Sequence, residues 1–262
     1  MTKKSTLLIV AGAAGEIGTE FCKKAITAHI DCIGVIRNKK TGITSKYFQE
    51  ITCHLEDSKQ IEKVFASINF NDYQQIIYLH TIGVDKFDPR GYPHVRAMDT
   101  IDPGVYNTNV NSFKYLLRYC IKTIHNINLV KKGIKIKFRC VVIAGVADKH
   151  TPFVIESFCE AKFIVRQYIQ SYVNLYSKWV SGLSINVSST VTKSALQVRP
   201  HADTKYWLTP KNVVDRSFKA LVSKAKSYNE LDIYKHSPEF VHNYYIDNDM
   251  LYKKWSKETG IF

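Results

Sequence analysis

The chain has 262 residues, 45% of them hydrophobic and 12% aromatic, enough to bury a sizeable core, and α/β proteins of this length are often one domain. Lys and Arg number 37 against 23 Asp and Glu, a net charge of +14 that favours anionic partners such as nucleotide cofactors, acyl carriers or phosphorylated substrates, while the motifs give nucleic acid little support. No stretch is apolar enough to span a membrane, and Met-Thr-Lys-Lys passes into a strand-like run without a cleavage site, so a soluble, cytoplasmic protein is expected.

The first apolar run, 7–10, leads into Ala11-Gly12-Ala13-Ala14-Gly15-Glu16-Ile17-Gly18, and a helical pattern follows over 17–29. Glycines at a strand-to-helix junction let backbone amides approach a pyrophosphate, and the helix amino terminus favours the anion. Gly12, Gly15, Glu16, Ile17 and Gly18 are therefore expected to bind a dinucleotide. A second run, 32–36, ends in Arg37-Asn38-Lys39-Lys40 with no carboxylate to accept ribose hydroxyls. Arg37, joined by Lys39 or Lys40, can instead pair with a 2′-phosphate, which favours NADP over NAD, although a solvated basic turn would look the same.

A short helix is predicted over 59–65 and a strand over 76–79, closed by His80-Thr81-Ile82-Gly83. A long helix over 108–125 carries Asn109. The basic stretch Lys131 to Arg139 alternates with Ile134, Ile136 and Phe138, as a strand approach does, and the strand itself is expected over 140–144. Next come a loop with Asp148, His150 and Thr151 and a helix over 155–179 that holds Phe158-Cys159-Glu160-Ala161-Lys162. Tyr168, Tyr172 and Tyr176 form one stripe on that helix, suited to a core or an interface.

A fifth run, 183–187, precedes Ser188-Ser189-Thr190-Val191-Thr192, and Lys193, Arg199, His201 and Lys205 make the following segment basic, a place for an anionic ligand. Thr209-Pro210 marks the start of a helix over 210–225, and Met250, Leu251 and Trp255 mark another within 247–262. Short buried runs separated by helices give a parallel α/β rhythm. The expected architecture is a single Rossmann-like doubly wound domain over 1–262, its mostly parallel sheet flanked by helices on both faces, with 226–262 a divergent carboxy-terminal extension packed on it. Six scattered cysteines with no zinc-like spacing read as reduced, mostly buried thiols, and no metal is expected.

Over roughly residues 5–225, the glycine turn, Asn109-Val110-Asn111, Val141 to Gly145, Phe158 to Lys162 and Ser188 to Thr192 together resemble the short-chain dehydrogenase/reductase family. The resemblance implies a catalytic Asn, Ser, Tyr and Lys, of which Asn109 and Lys162 are kept while Gly145 and Phe158 stand where the two hydroxyls belong. It also places Leu55 beside the adenine, Gly83 and Lys162 on the cofactor, and Thr192 on the nicotinamide carboxamide, and it implies a homodimer or homotetramer.

A Phe has no proton to give, so an active enzyme needs another donor, and His150, whose imidazole titrates near neutrality, is the candidate chosen. Three functions remain open. They are an NADP(H)-dependent reduction of a carbonyl or oxidation of an alcohol, a catalytically impaired NADP(H)-binding scaffold, sensor or partner subunit, and a non-redox elimination or isomerisation in the same cleft.

Overall fold

The computed structural model describes residues 4–87, 101–130, 135–150, 152–235 and 245–260. Thr151 and residues 131–134, which belong to stretches singled out above, lie outside the described residues, as do 236–244.

Seven strands form one parallel sheet in the order β3-β2-β1-β4-β5-β6-β7. They are β1 Lys4–Ala11, β2 Asp31–Ile36, β3 Phe48–Thr52, β4 Tyr73–His80, β5 Lys137–Gly145, β6 Val180–Val187 and β7 Tyr228–Ile233. The order reverses between β1 and β4, and that switch point is where open α/β sheets bind ligands beyond the carboxyl ends of their strands.

Period-two alternation in β1 divides the core between the two faces. Leu7, Ile9 and Ala11 point into one apolar cluster, and Leu8 and Val10 point into the other. The first cluster takes residues from α2 (Ser58–Phe65), α4 (Ser112–Val130) and α5 (Glu156–Leu175), and the second from α1 (Glu16–Thr27) and α7 (Pro210–Val222). Both faces are thus covered by helices, as the sequence rhythm predicts. All six cysteines are buried free thiols.

Several boundaries differ from expectation. The helix foreseen over 108–125 begins as a short α3 (Pro103–Tyr106), widens into a π-helical turn at Asn107–Asn111 and continues as α4 to Val130. The helix foreseen to reach 179 ends at Leu175, and the next residues form a turn in which Tyr176 packs on Trp179 with ring centroids 5.1 Å apart. Thr209 caps α7 through a reciprocal capping box with Asn212. Within 226–262, β7 joins the sheet itself, while α8 (Asn248–Thr259) lies outside it.

Candidate functional site: a cleft along the carboxyl edge of the sheet

A cleft of about 460 Å³ runs along the carboxyl ends of β1, β4, β5 and β6. At one end β1 leaves the sheet through Gly12, whose φ of +83° favours glycine, and a Cβ there would stand 2.8 Å from Thr81 Oγ1. The Gly12 and Ala13 amides both donate to the Val35 carbonyl at 3.1 Å, and Thr81 Oγ1 donates to the Ala11 carbonyl at 2.8 Å. A Cβ on Gly18 would lie 2.3 Å from the Gly12 carbonyl oxygen, so close helix-strand packing requires glycine.

Gly15 is the N-cap of α1, and no side chain caps that first turn. Its amides and the helix dipole therefore offer an uncapped anion-binding terminus at the cleft. Glu16 accepts a hydrogen bond from the Lys193 amide at 2.6 Å, which ties α1 to α6 (Lys193–Val198) across the cleft. Ser188 Oγ, buried in the cleft wall, has no partner among the described residues, so the wall keeps a polar group for a ligand.

Next to β2, Lys39 lines the cleft, whereas Arg37 is exposed and is not among the lining residues. Leu55, expected beside an adenine, is 4% exposed and packs in the core. The loop after β2 is pinned because Thr41 donates through both its amide and its hydroxyl to Glu50 Oε2, each at 2.7 Å. Those bonds hold the Glu50 carboxyl below its ordinary range.

At the other end Lys162, 2% exposed, donates from Nζ to the Ile82 carbonyl at 2.9 Å and lies 5.4 Å from the centroid of the Phe158 ring. Burial lowers its ammonium to about 8, with Arg166 adding to the fall and Asp148 and Asp85 opposing it. The phenyl ring lies between two glycines. A Cβ on either Gly83 or Gly145 would be 3.6 Å from it. Thus the three positions singled out by spacing, 145, 158 and 162, do meet, and at 145 and 158 they present no hydroxyl.

Beneath them Arg166 Nη1 donates to Asp148 Oδ1 at 2.8 Å, and the Gly145 amide donates to Asp148 Oδ2 at 3.2 Å. This buried pair fixes the loop after β5. Burial pushes the Asp148 carboxyl up, against the pull of Arg166 and the Gly145 amide. Sequence reading named Asp148 only as a neighbour, since nothing marks residue 166 as its partner.

Asn109 sits in the π-helical turn, fully buried. Its Oδ1 accepts from the Val84 amide at 2.9 Å and its Nδ2 donates to the Val84 carbonyl at 3.1 Å, so it clamps the loop after β4 and does not line the cleft. Thr192 lines the cleft, and its hydroxyl caps α6 by accepting from the Ala195 amide. His150 is exposed, stacked on Tyr245 with centroids 6.2 Å apart, and outside the lining, whereas Tyr245 itself lines the cleft.

His80 is fully buried, its Nδ1 3.0 Å from the Tyr78 hydroxyl, and burial drives its imidazole well below the ordinary range. It stays neutral. Cys159 is a buried thiol raised by the same desolvation. Arg199, proposed above to hold an anion, is committed elsewhere: Nη1 lies 3.2 Å from Glu258 Oε2, Nη2 donates to Ser189 Oγ at 2.7 Å, and the guanidinium is stacked between Trp207 and Trp255 at 4.3 and 4.7 Å. That contact joins α8 to the segment after α6.

No protein-family model matches this sequence, nor does any curated protein. Solved structures do match in shape. A short-chain dehydrogenase from Burkholderia cenocepacia in complex with NADP is 12% identical, with a TM-score of 0.69 over 97% of this chain and 99% of that one. A 4-hydroxyisoleucine dehydrogenase complexed with NADH is 17% identical (TM-score 0.66, 87% and 96% covered). A 3-ketoacyl-(acyl-carrier-protein) reductase from Brucella melitensis complexed with NADH is 12% identical (TM-score 0.68, 88% and 98%). No helix among the described residues is long and apolar enough to cross a membrane. At these identities the likeness establishes the fold, and this chain has that of the short-chain dehydrogenases.

Proposed function

We propose that this chain is a divergent short-chain dehydrogenase/reductase that binds NADP(H) and acts as an oxidoreductase on a small molecule. The observation that carries the proposal is the cleft itself, which joins the uncapped amino terminus of α1 at Gly12, Gly15 and Gly18 to the buried ammonium of Lys162. The fit is specific: the tight turn needs glycine, the helix terminus favours an anion, and Ser188 Oγ lacks a partner among the described residues. Lys39 in the lining and the lack of a carboxylate at the end of β2 support NADP(H) over NAD(H). The fold relatives carrying NADP support the same choice, and those carrying NADH show that the fold takes either.

Bound there, the dinucleotide would supply or accept hydride. Lys162 would hold the ribose next to the nicotinamide and place positive charge where oxygen becomes anionic, and the apolar walls formed by Ile143, Ala144, Ile155 and Phe158 would exclude water. Exposed Phe163 and Leu175 on α5 and Leu129 on α4 are in keeping with a homodimer or homotetramer.

A second reading, in which the chain holds the dinucleotide without turnover as a sensor, scaffold or partner subunit, is favoured by one observation. Phe158 fills the slot between Gly83 and Gly145, where a hydroxyl pair would have to act. Replacing Lys39 by Ala tests the cofactor assignment: NADPH affinity is expected to fall about tenfold with NADH affinity unchanged. Equal losses for both, or no loss, would remove the 2′-phosphate from the proposal.

A further inference from the structure

The Lys162 end of the cleft also holds an acid and a set of aromatic rings. Asp85 lines it with an exposed carboxylate that no hydrogen bond or ion pair engages among the described residues. The neighbouring acids are all engaged: Glu16 by the Lys193 amide, Asp148 by Arg166 and Glu258 by Arg199. Arg199, meanwhile, has its charge offset by Glu258 and its faces covered by tryptophan rings, so the basic segment after β6 offers an anionic ligand little at this point. Phe158, Tyr245 and Trp255 pack in one aromatic cluster and line the same cleft as Asp85.

The chemistry points the same way. Hydride added to a carbonyl leaves a charge on oxygen that an acid must quench, and positions 145 and 158 supply none. An iminium ion already carries its proton or alkyl group on nitrogen. Hydride adds to carbon, the C=N π pair moves to nitrogen, and a neutral amine forms without a proton from the protein; the two electrons come from the reduced nicotinamide dinucleotide, which is oxidised.

We infer that this end of the cleft receives an organic cation, an iminium or its amine counterpart, with Asp85 as counter-ion and the rings of Phe158, Tyr245 and Trp255 as walls. Carboxylate plus ring faces is how proteins hold such cations. The Lys162 ammonium does not bar it: Nζ is hydrogen-bonded to the Ile82 carbonyl, and Arg166 and Arg199 are paired with Asp148 and Glu258, which leaves Asp85 for the ligand. The cation's reduction rests on the proposed NADP(H) function, but its binding does not.

The test is calorimetric titration of the full chain with N-methylisoquinolinium and with neutral N-methylisoquinolone of nearly the same shape, without cofactor and again with NADP⁺. The cation should bind at least about tenfold more tightly than the neutral analogue, and Asp85→Asn, an isosteric change at an exposed side chain, should abolish that preference. Equal affinities, no binding of the cation, or a preference that survives Asp85→Asn would overturn the inference. A separate NADPH titration of the same variant keeps the two proposals apart. Cation binding without NADPH binding would sink the oxidoreductase reading alone, and the reverse would sink the cation site alone.

Discussion

Replacing Lys162 by Met should stabilise the protein near neutral pH, which is an unusual outcome for removing a hydrogen-bonded side chain from a cleft. Burial lowers the folded-state ammonium from 10.5 to about 8. At ~1.4 kcal/mol per pH unit this means that holding the charge inside costs folding about 3 kcal/mol below pH 8. The unfolded chain binds the proton more tightly, so between 8 and 10.5 it holds more of it than the folded chain does, and wild-type stability gains with rising pH from this group. Methionine removes that cost but leaves the Ile82 carbonyl without its 2.9 Å donor, a loss of roughly 1 kcal/mol. A net gain of about 2 kcal/mol is therefore expected at pH 7. Urea denaturation of both proteins across a pH series measures it, and the difference between them should shrink as pH rises from 8 to 10.5. A variant that is less stable at pH 7, or a difference that does not change with pH, would show that burying the Lys162 charge does not weaken the fold.

Three further substitutions probe the site. Gly12→Ala should cost about 1–3 kcal/mol, because φ is +83° and the new Cβ would meet Thr81 Oγ1 at 2.8 Å, and NADPH binding should fall with it; a variant as stable as wild type in thermal unfolding would contradict this. Asp148→Asn strands the Arg166 charge in the interior and should destabilise by about 3–5 kcal/mol, most of which Asp148→Asn with Arg166→Met should recover; denaturation midpoints decide it. Gly145→Ser with Phe158→Tyr restores both hydroxyls at positions where the added Cβ meets the ring at an ordinary 3.6 Å, and should raise NADPH-dependent carbonyl reduction by about 100-fold or more, whereas no rise would mean that Lys162 does not stand at the reacting centre.

Where one face of the chain is apolar throughout, sequence was enough. The buried runs of β1, β2, β4, β5 and β6 are visible as short hydrophobic words, and the glycine turn and positions 145, 158 and 162, picked out by spacing, all line one cleft. The strands missed, β3 and β7, are the two edges of the sheet, and Phe-Gln-Glu-Ile-Thr and Tyr-Asn-Glu-Leu-Asp-Ile interrupt their apolar residues with exposed polar ones, so no apolar run announces them.

Partners distant in sequence were equally hidden. Arg199 looked like a ligand for anions until Glu258, 59 residues later, was found beside it, and Asn109 looked like a member of the catalytic group although both ends of its amide are taken by residue 84. Arg37 and Lys39 differ only in which way the turn after β2 sends their side chains, and spacing alone does not say which one reaches the cleft.

Calorimetric titration of the purified chain with NADPH and with NADH decides whether the cleft binds NADP(H). Saturable one-to-one binding of NADPH, weaker binding of NADH, and loss of both in Gly12→Ala are expected. Binding of neither dinucleotide by a folded protein would contradict the claim.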